Sequence, residues 1–99
     1  MSRFDILVTY DVNTETSEGR KRLRKVAIAC QDYGQRVQKS VFECRVTQSQ
    51  YEKLSHRLYK IIKPNQDSIR FYKLLGGREN CVESFGVDTF VDFDDPLII

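Results

Sequence analysis

The chain lacks the features that mark secreted, membrane-bound and zinc-binding proteins. Its apolar run near the amino terminus, residues 6–8, is too short for a signal-peptide core or a membrane span. Its three cysteines, Cys30, Cys44 and Cys81, show no CxxC spacing, so they suit neither a disulfide framework nor a zinc site. We therefore expect a cytoplasmic protein with reduced cysteines and no membrane association.

Two kinds of catalytic motif are also missing. The sequence contains no glycine-rich nucleotide-binding loop and no nucleophile with a paired base. Its single histidine, His56, falls on the outer part of a predicted helix, far in sequence from any partner, which favours a solvated side chain over a general base. Any chemistry must therefore rest on other groups.

The composition present is that of one small globular domain. With 99 residues, 40% of them hydrophobic and 30% charged, the chain can bury a single core. We expect one domain over residues 1–99. Because covering an open sheet face would stabilise so small a domain, we also expect a homo-oligomer.

Charge is unevenly distributed along the chain. Up to Lys63 there are thirteen basic and seven acidic residues, and from Pro64 onward there are three and seven. Such polarity suits a basic surface that faces phosphates, although two oppositely charged surfaces could also pair internally.

The first half of the chain predicts a strand, a helix and further strand. Residues 4–12 are rich in β-branched and aromatic side chains on both faces, which is typical of a central strand. Thr16 or Ser17 can cap a helix that runs to about Tyr33, with Gly34 as a left-handed stop. Residues 36–46 read as one long strand or as two strands that meet at a bend.

The second half predicts a helix and two strands. Thr47 and Gln50 form a capping box for a helix that ends before Pro64. Residues 68–75 and 81–87 read as strands, followed by a short extended segment at 90–93. The fold class is therefore α/β (α+β): a two-layer sandwich with two helices on one face of a four- to five-stranded, mostly antiparallel sheet.

Asp11 is the strongest candidate for a metal-binding or catalytic carboxylate. It lies where a central strand meets a polar loop, so it would be held rigidly and still reach solvent. Glu15 lies in a flexible loop, and Asp5 is about 20 Å away along the strand at 3.3 Å per residue. A second copy of the chain could supply the second carboxylate to a hard cation such as Mg²⁺.

A run of cations begins the first helix, where the helix dipole disfavours them. Contact with nucleic-acid phosphates would favour them, and a solvated helix face is the alternative. Arg36, Lys39 and Arg45 add positive charge along the following strand, whereas Tyr10 and Phe42 are better explained by core packing. The candidate nucleic-acid-binding residues are Arg20, Lys21, Arg22, Arg24, Lys25, Arg36 and Lys39.

Three segments resemble the second CRISPR-associated protein family, the small partner of the spacer-acquisition integrase. They are YDV at residues 10–12, KRLRKVA at residues 21–27 and, most specifically, YGQRVQKSVFEC at residues 33–44. The DDPLI sequence at residues 94–98 looks like the ending of the I-C subtype. The resemblance covers nearly the whole chain.

The resemblance implies a ferredoxin-like fold and a homodimer of facing sheets, with the segment 88–99 crossing to the partner subunit. It implies assembly with two integrase dimers on DNA, for which the acidic residues 88–95 are our expected contact. Asp11 matches the family's metal-binding aspartate, which implies Mg²⁺, or Mn²⁺ as an alternative, as cofactor. Tyr10, Arg36 and Phe42 match positions that the family uses around that catalytic site.

Two function classes follow from the residues and the resemblance together. The first is a metal-dependent endonuclease that hydrolyses phosphodiester bonds of duplex DNA or single-stranded RNA. The second is a non-catalytic adaptor that holds DNA for the integrase. Toxin-like RNases share the fold, so fold alone does not decide the activity.

Overall fold

Four strands and three helices make up the part of the chain that the computed structural model describes, residues 2–87 and Phe90. In chain order they are β1 (Phe4–Asp11), α1 (Ser17–Gln31), β2 (Gly34–Gln38), β3 (Val41–Val46), α2 (Gln48–Ile61), β4 (Ser68–Leu74) and α3 (Arg78–Cys81). No helix within these residues has the length and apolar character needed to cross a bilayer.

The four strands form one antiparallel sheet in the order β2-β3-β1-β4. With α1 between β1 and β2, and α2 between β3 and β4, this is the ferredoxin-like arrangement. β1 lies at the centre, as its apolar character on both faces predicts. The α+β class and the antiparallel sheet are therefore confirmed.

Both long helices pack on the same face of this sheet. Alternate residues of β1, Ile6, Val8 and Tyr10, join one buried cluster with side chains from both helices, including Val26 and Leu54. On the opposite face the short helix α3 covers one end of the sheet, where the Arg78 N–H donates to Asp5 Oδ2 at 2.8 Å and the Arg78 guanidinium pairs with Glu43. The rest of this face includes Tyr72, which is 43% exposed, so the two-layer sandwich leaves part of the face uncovered.

The two predicted helix starts are correct. Thr16 caps α1 by accepting a hydrogen bond from the Gly19 N–H at 3.0 Å. Thr47 and Gln50 form the reciprocal capping box of α2. Both caps satisfy backbone donors that the first helical turn leaves without partners.

The prediction that Gly34 ends α1 in a left-handed conformation is wrong. The helix ends at Gln31, and Gly34 begins β2 without a positive φ. Its backbone lies so close to β3 that an added Cβ would collide with Cys44 and with the carbonyl oxygen of Glu43. Gly34 is therefore required for the close approach of two strands.

The segment 36–46 is a hairpin of two strands, with a register shift between Arg36 and Gln38. Of the two possibilities that the sequence left open for this segment, one long strand or two strands, the second is therefore correct.

The predicted strand at 81–87 is absent: after a turn at Gly76 and Gly77, whose φ are 90° and 91°, the chain enters α3, which includes Cys81. Residues 82–87 carry no strand assignment, and Phe85 and Val87 are each 92% exposed. Of the segment predicted at 90–93, and of the predicted partner-contacting tail at 88–99, only Phe90 lies among the described residues.

Candidate nucleic-acid interface and metal-binding aspartate

Asp11 is the last residue of the central strand, and its side chain is exposed. β4 still pairs with the strand at this point, since Asp11 lies opposite Ser68. On the other side of the strand, the Tyr10 N–H donates a hydrogen bond to the Ser40 carbonyl at 3.1 Å. The backbone that carries this carboxylate is thus held from both sides while the carboxylate itself faces solvent.

A buried carboxylate, Asp67, fixes the loops around Asp11. Its two oxygens accept hydrogen bonds from the backbone N–H groups of Asn13 at 3.0 Å and Lys63 at 2.9 Å, and from Arg22 Nε at 2.8 Å. Burial opposes ionisation of Asp67, but these donors outweigh it and hold the pKa of Asp67 below its usual value. One side chain therefore joins the exit of β1, helix α1 and the loop before β4.

Arg22 lies inside the protein, which corrects its assignment to a phosphate-binding surface. The residue is 8% exposed, and its guanidinium also bonds Gln66 Oε1 at 3.2 Å. It lies four residues before the buried Val26, so it occupies the apolar stripe of α1 rather than flanking it. We therefore remove Arg22 from the proposed nucleic-acid-binding set.

Sequence reasoning missed the partnership of Arg22 and Asp67. The available signal was positional: Arg22 lies on the same helical face as Val26 and Ala29, where a cation requires a buried partner. Asp67, directly before the start of β4, was the carboxylate to consider. Only the fold brings these two residues, 45 positions apart, together.

Tyr10 and Phe42 are core residues. They are 5% and 0% exposed, their rings stack with centroids 6.2 Å apart, and the Tyr10 hydroxyl donates to the Lys39 carbonyl at 3.3 Å. Neither ring can reach a substrate from this position. The packing explanation from the sequence matches these positions, and the two rings can act on the site only by holding the neighbouring Asp11 and Arg36.

Arg36 connects this core to the surface. The residue is exposed on β2, and its guanidinium carbon lies 5.2 Å from the centroid of the Phe42 ring. Lys39, in the turn that follows β2, is also exposed. These two cations are accessible to a phosphate in the described structure.

The remaining cations of α1 lie at the surface. Arg20, Lys21, Arg24 and Lys25 are exposed. One guanidinium nitrogen of Arg20, Nη1, donates a hydrogen bond to the Thr14 carbonyl at 3.1 Å. The helix therefore presents a basic outer face with Arg22 as its one internal cation.

The described residues contain no cluster of three histidine, cysteine or carboxylate side chains that could hold a metal. Asp11 alone occupies the expected position. Asp11 is thus an exposed carboxylate at the end of β1, where both neighbouring segments hold the backbone.

Comparison with known proteins identifies the family of this fold. The profile of the family described as "CRISPR associated protein Cas2" matches residues 4–81. A Moorella thermoacetica protein named CRISPR-associated endoribonuclease Cas2 1 is 53% identical over 95% of this chain and 98% of its own length. A Halalkalibacterium halodurans protein named CRISPR-associated endonuclease Cas2 is 50% identical over 94% of this chain and 97% of its own length.

Solved structures agree with this similarity. The crystal structure of Streptococcus pyogenes Cas2 superimposes with a TM-score of 0.74 and 58% identity, covering 83% of this chain and 99% of that one. A Thermus thermophilus protein described as hypothetical has a TM-score of 0.75 and 31% identity, covering 90% of this chain and 98% of its own. Sequence and fold together show that the chain belongs to the Cas2 family of CRISPR-associated proteins.

Proposed function

We propose that the protein is a metal-dependent endonuclease of CRISPR spacer acquisition that hydrolyses phosphodiester bonds of RNA or DNA. The observation that carries this proposal is the exposed Asp11 at the end of the central strand. The names of its relatives, which include both an endoribonuclease and an endonuclease, support the reaction class and leave the choice of nucleic acid to experiment.

The chemistry of Asp11 fits a hard divalent cation. Mg²⁺ accepts one or two carboxylates and keeps several waters, so two Asp11 side chains from two subunits would be sufficient protein ligands. When bound, Mg²⁺ or Mn²⁺ supplies a water nucleophile at neutral pH and neutralises charge on the phosphate. The chain's own contribution is to hold the carboxylate at the strand end, through the Tyr10 backbone and the Asp67 network.

The part of the sheet face opposite α1 and α2 that α3 leaves uncovered offers a surface on which a homodimer could form. β1 places Leu7, Thr9 and Asp11 on this face, the face opposite to the buried Ile6 and Val8. Tyr72 pairs with Leu7 and is 43% exposed. Packing two such faces together would cover apolar surface and bring the two copies of Asp11 to the same interface.

Cleavage assays with Asp11 variants test the nuclease proposal. We expect Mg²⁺-dependent cutting of labelled single-stranded RNA or duplex DNA by the native protein, and loss of at least about 100-fold in Asp11→Asn, since the amide removes the anionic ligand. Glu52→Gln is the control, because it also converts an exposed carboxylate to an amide, on α2, where Glu52 bonds Gln48. Equal cutting by native protein and Asp11→Asn would overturn the proposal.

The second candidate is a non-catalytic adaptor that holds DNA for the integrase, forming an assembly of one dimer of this chain with two integrase dimers. The basic outer face of α1 favours it, as does the lack of any cluster of three metal-binding side chains among the described residues. Spacer integration in cells separates the two functions. Integration at the native level with Asp11→Asn, combined with no cleavage by the purified native protein, would establish the adaptor.

A further inference from the structure

A basic groove runs between the outer surfaces of α1 and α2. Its walls and floor are Lys25 and Ile28 of α1 with Arg57, Lys60 and Ile61 of α2, and its volume is about 340 Å³. Lys21 lies one turn before Lys25 on α1, and both side chains are exposed. The basic surface of α1 therefore continues from the groove toward the start of the helix.

Most of this charge has no internal partner. No carboxylate of the described residues lies within salt-bridge distance of Lys25 or Lys60. Arg57 bonds Asp32 at 2.7 Å, but both side chains are about half exposed, at 42% and 55%. Like charges gathered at this spacing repel one another, so an external anion would stabilise the arrangement.

The floor of the groove is apolar. Ile28 of α1 is 50% exposed, and Ile61 of α2, which lines the same groove, is partly buried. A site for a free anion gains nothing from isoleucine, whereas the carbon atoms of a sugar ring can pack against it. The groove thus combines cations for phosphate with an apolar surface for the sugar between phosphates.

We propose that this α1–α2 groove binds the sugar–phosphate backbone of a nucleic acid, with Arg57 and Lys60 of α2 acting together with Lys25 of α1. The proposal rests on the proposed nucleic-acid function and adds a second helix to the basic face of α1. The segment of α1 from Lys21 to Ile28 is about 10 Å long at 1.5 Å per residue. Measured along the axis of a duplex, that length corresponds to about three base pairs.

Size favours a nucleic-acid strand over an acidic protein helix. Five residues line the groove, and its volume is about 340 Å³. A stable protein interface buries about 800 Å² on each partner, far more than these five residues provide. A phosphodiester backbone can bind the cations of both helices without so large a contact area.

The test is the salt dependence of binding to fluorescein-labelled duplex DNA and single-stranded RNA, with Ca²⁺ in place of Mg²⁺ to prevent cutting. We expect Lys25→Gln/Lys60→Gln to bind duplex DNA at least about tenfold more weakly at 50 mM salt. We expect its slope of log affinity against log salt to be smaller by about 1.8, because each phosphate contact contributes about 0.9. Lys53→Gln is the control: it removes one charge from α2 two turns from Lys60, outside the groove.

Each other outcome would overturn the groove proposal. Unchanged affinity and slope in the double variant would show that the backbone binds elsewhere, and the nuclease proposal would stand on the Asp11 assay alone. An equal loss of affinity in Lys53→Gln would indicate that binding depends on the overall positive charge of the protein rather than on a site in the groove. Loss of binding to labelled polyglutamate with DNA binding intact would assign the groove to an acidic protein. Thermal unfolding of each variant confirms that it is folded.

Discussion

Arg22 Nε lies 2.8 Å from Asp67 Oδ2, and the side chain of Asp67 is completely buried. The same carboxylate accepts the Asn13 and Lys63 N–H groups, so a single charged pair connects the end of β1, helix α1 and the loop before β4. Since Asp11 lies two residues before Asn13, this pair supports the proposed metal-binding end of the sheet.

Removing one partner of this pair should be strongly destabilising. We expect Asp67→Ala to lower the free energy of unfolding by about 3–5 kcal/mol, because it leaves the buried Arg22 charge without a counterion and two backbone donors without acceptors. Urea unfolding followed by circular dichroism measures the loss. The exposed pair provides the control: Asp32→Ala breaks the bond to Arg57 and should cost less than about 1 kcal/mol. Similar losses in the two variants would contradict this prediction.

Protonation of Asp5 and Asp67 should lower the free energy of unfolding at acid pH. Burial opposes ionisation of Asp5, but hydrogen bonds from Arg45 and the Arg78 backbone keep its pKa lowered, as similar donors do for Asp67. A lowered folded-state pKa contributes stability that is fully present above the unfolded value of about 3.8 and is lost as pH falls through the folded value. Unfolding free energies measured from pH 6 to pH 2 should fall less steeply in Asp67→Asn than in the native protein. A parallel fall would show that the contribution of Asp67 is negligible.

The Tyr10 hydroxyl should be dispensable for cleavage. It is buried and donates to the Lys39 carbonyl, so it has no path to a substrate bound at Asp11. We expect Tyr10→Phe to keep its cleavage rate within about threefold and to lose about 1 kcal/mol of stability, the usual net value of one hydrogen bond. A loss of activity comparable to that of Asp11→Asn would return Tyr10 to a catalytic role.

The cysteines should differ in reactivity. Burial raises the pKa of the Cys30 and Cys44 thiols to about 12, whereas Cys81 is exposed. Because the thiolate is the reactive form, N-ethylmaleimide at pH 7.5 should modify one cysteine in the native protein and three after denaturation. Mass spectrometry counts the adducts, and Cys81→Ser should carry none in the native state. Rapid labelling of Cys30 or Cys44 would indicate that the core opens.

The fold was largely predictable because periodicity and caps are local signals. The alternation in β1 and the Thr47–Gln50 capping box specify elements through residues close in sequence, and both were confirmed. Gly34 and the segment 81–87 were misassigned because their conformations depend on distant neighbours: the approach of β3 in one case, and the lack of a pairing strand among the described residues in the other. For the site, the position of Asp11 followed from the strand end, whereas the burial of Arg22 could not follow without knowledge of Asp67.

The register shift in β2 and the charges on the two edge strands affect the tendency of the protein to aggregate. In the described chain the sheet ends at β2 on one side and at β4 on the other, and such edges are templates for strand-by-strand polymerisation. β2 carries an irregular register and the exposed Arg36, while β4 carries the exposed Arg70 and Lys73. These features disfavour lateral growth of the sheet. The protein can therefore pair with a second copy through the uncovered part of its sheet face while its edge strands resist fibril formation.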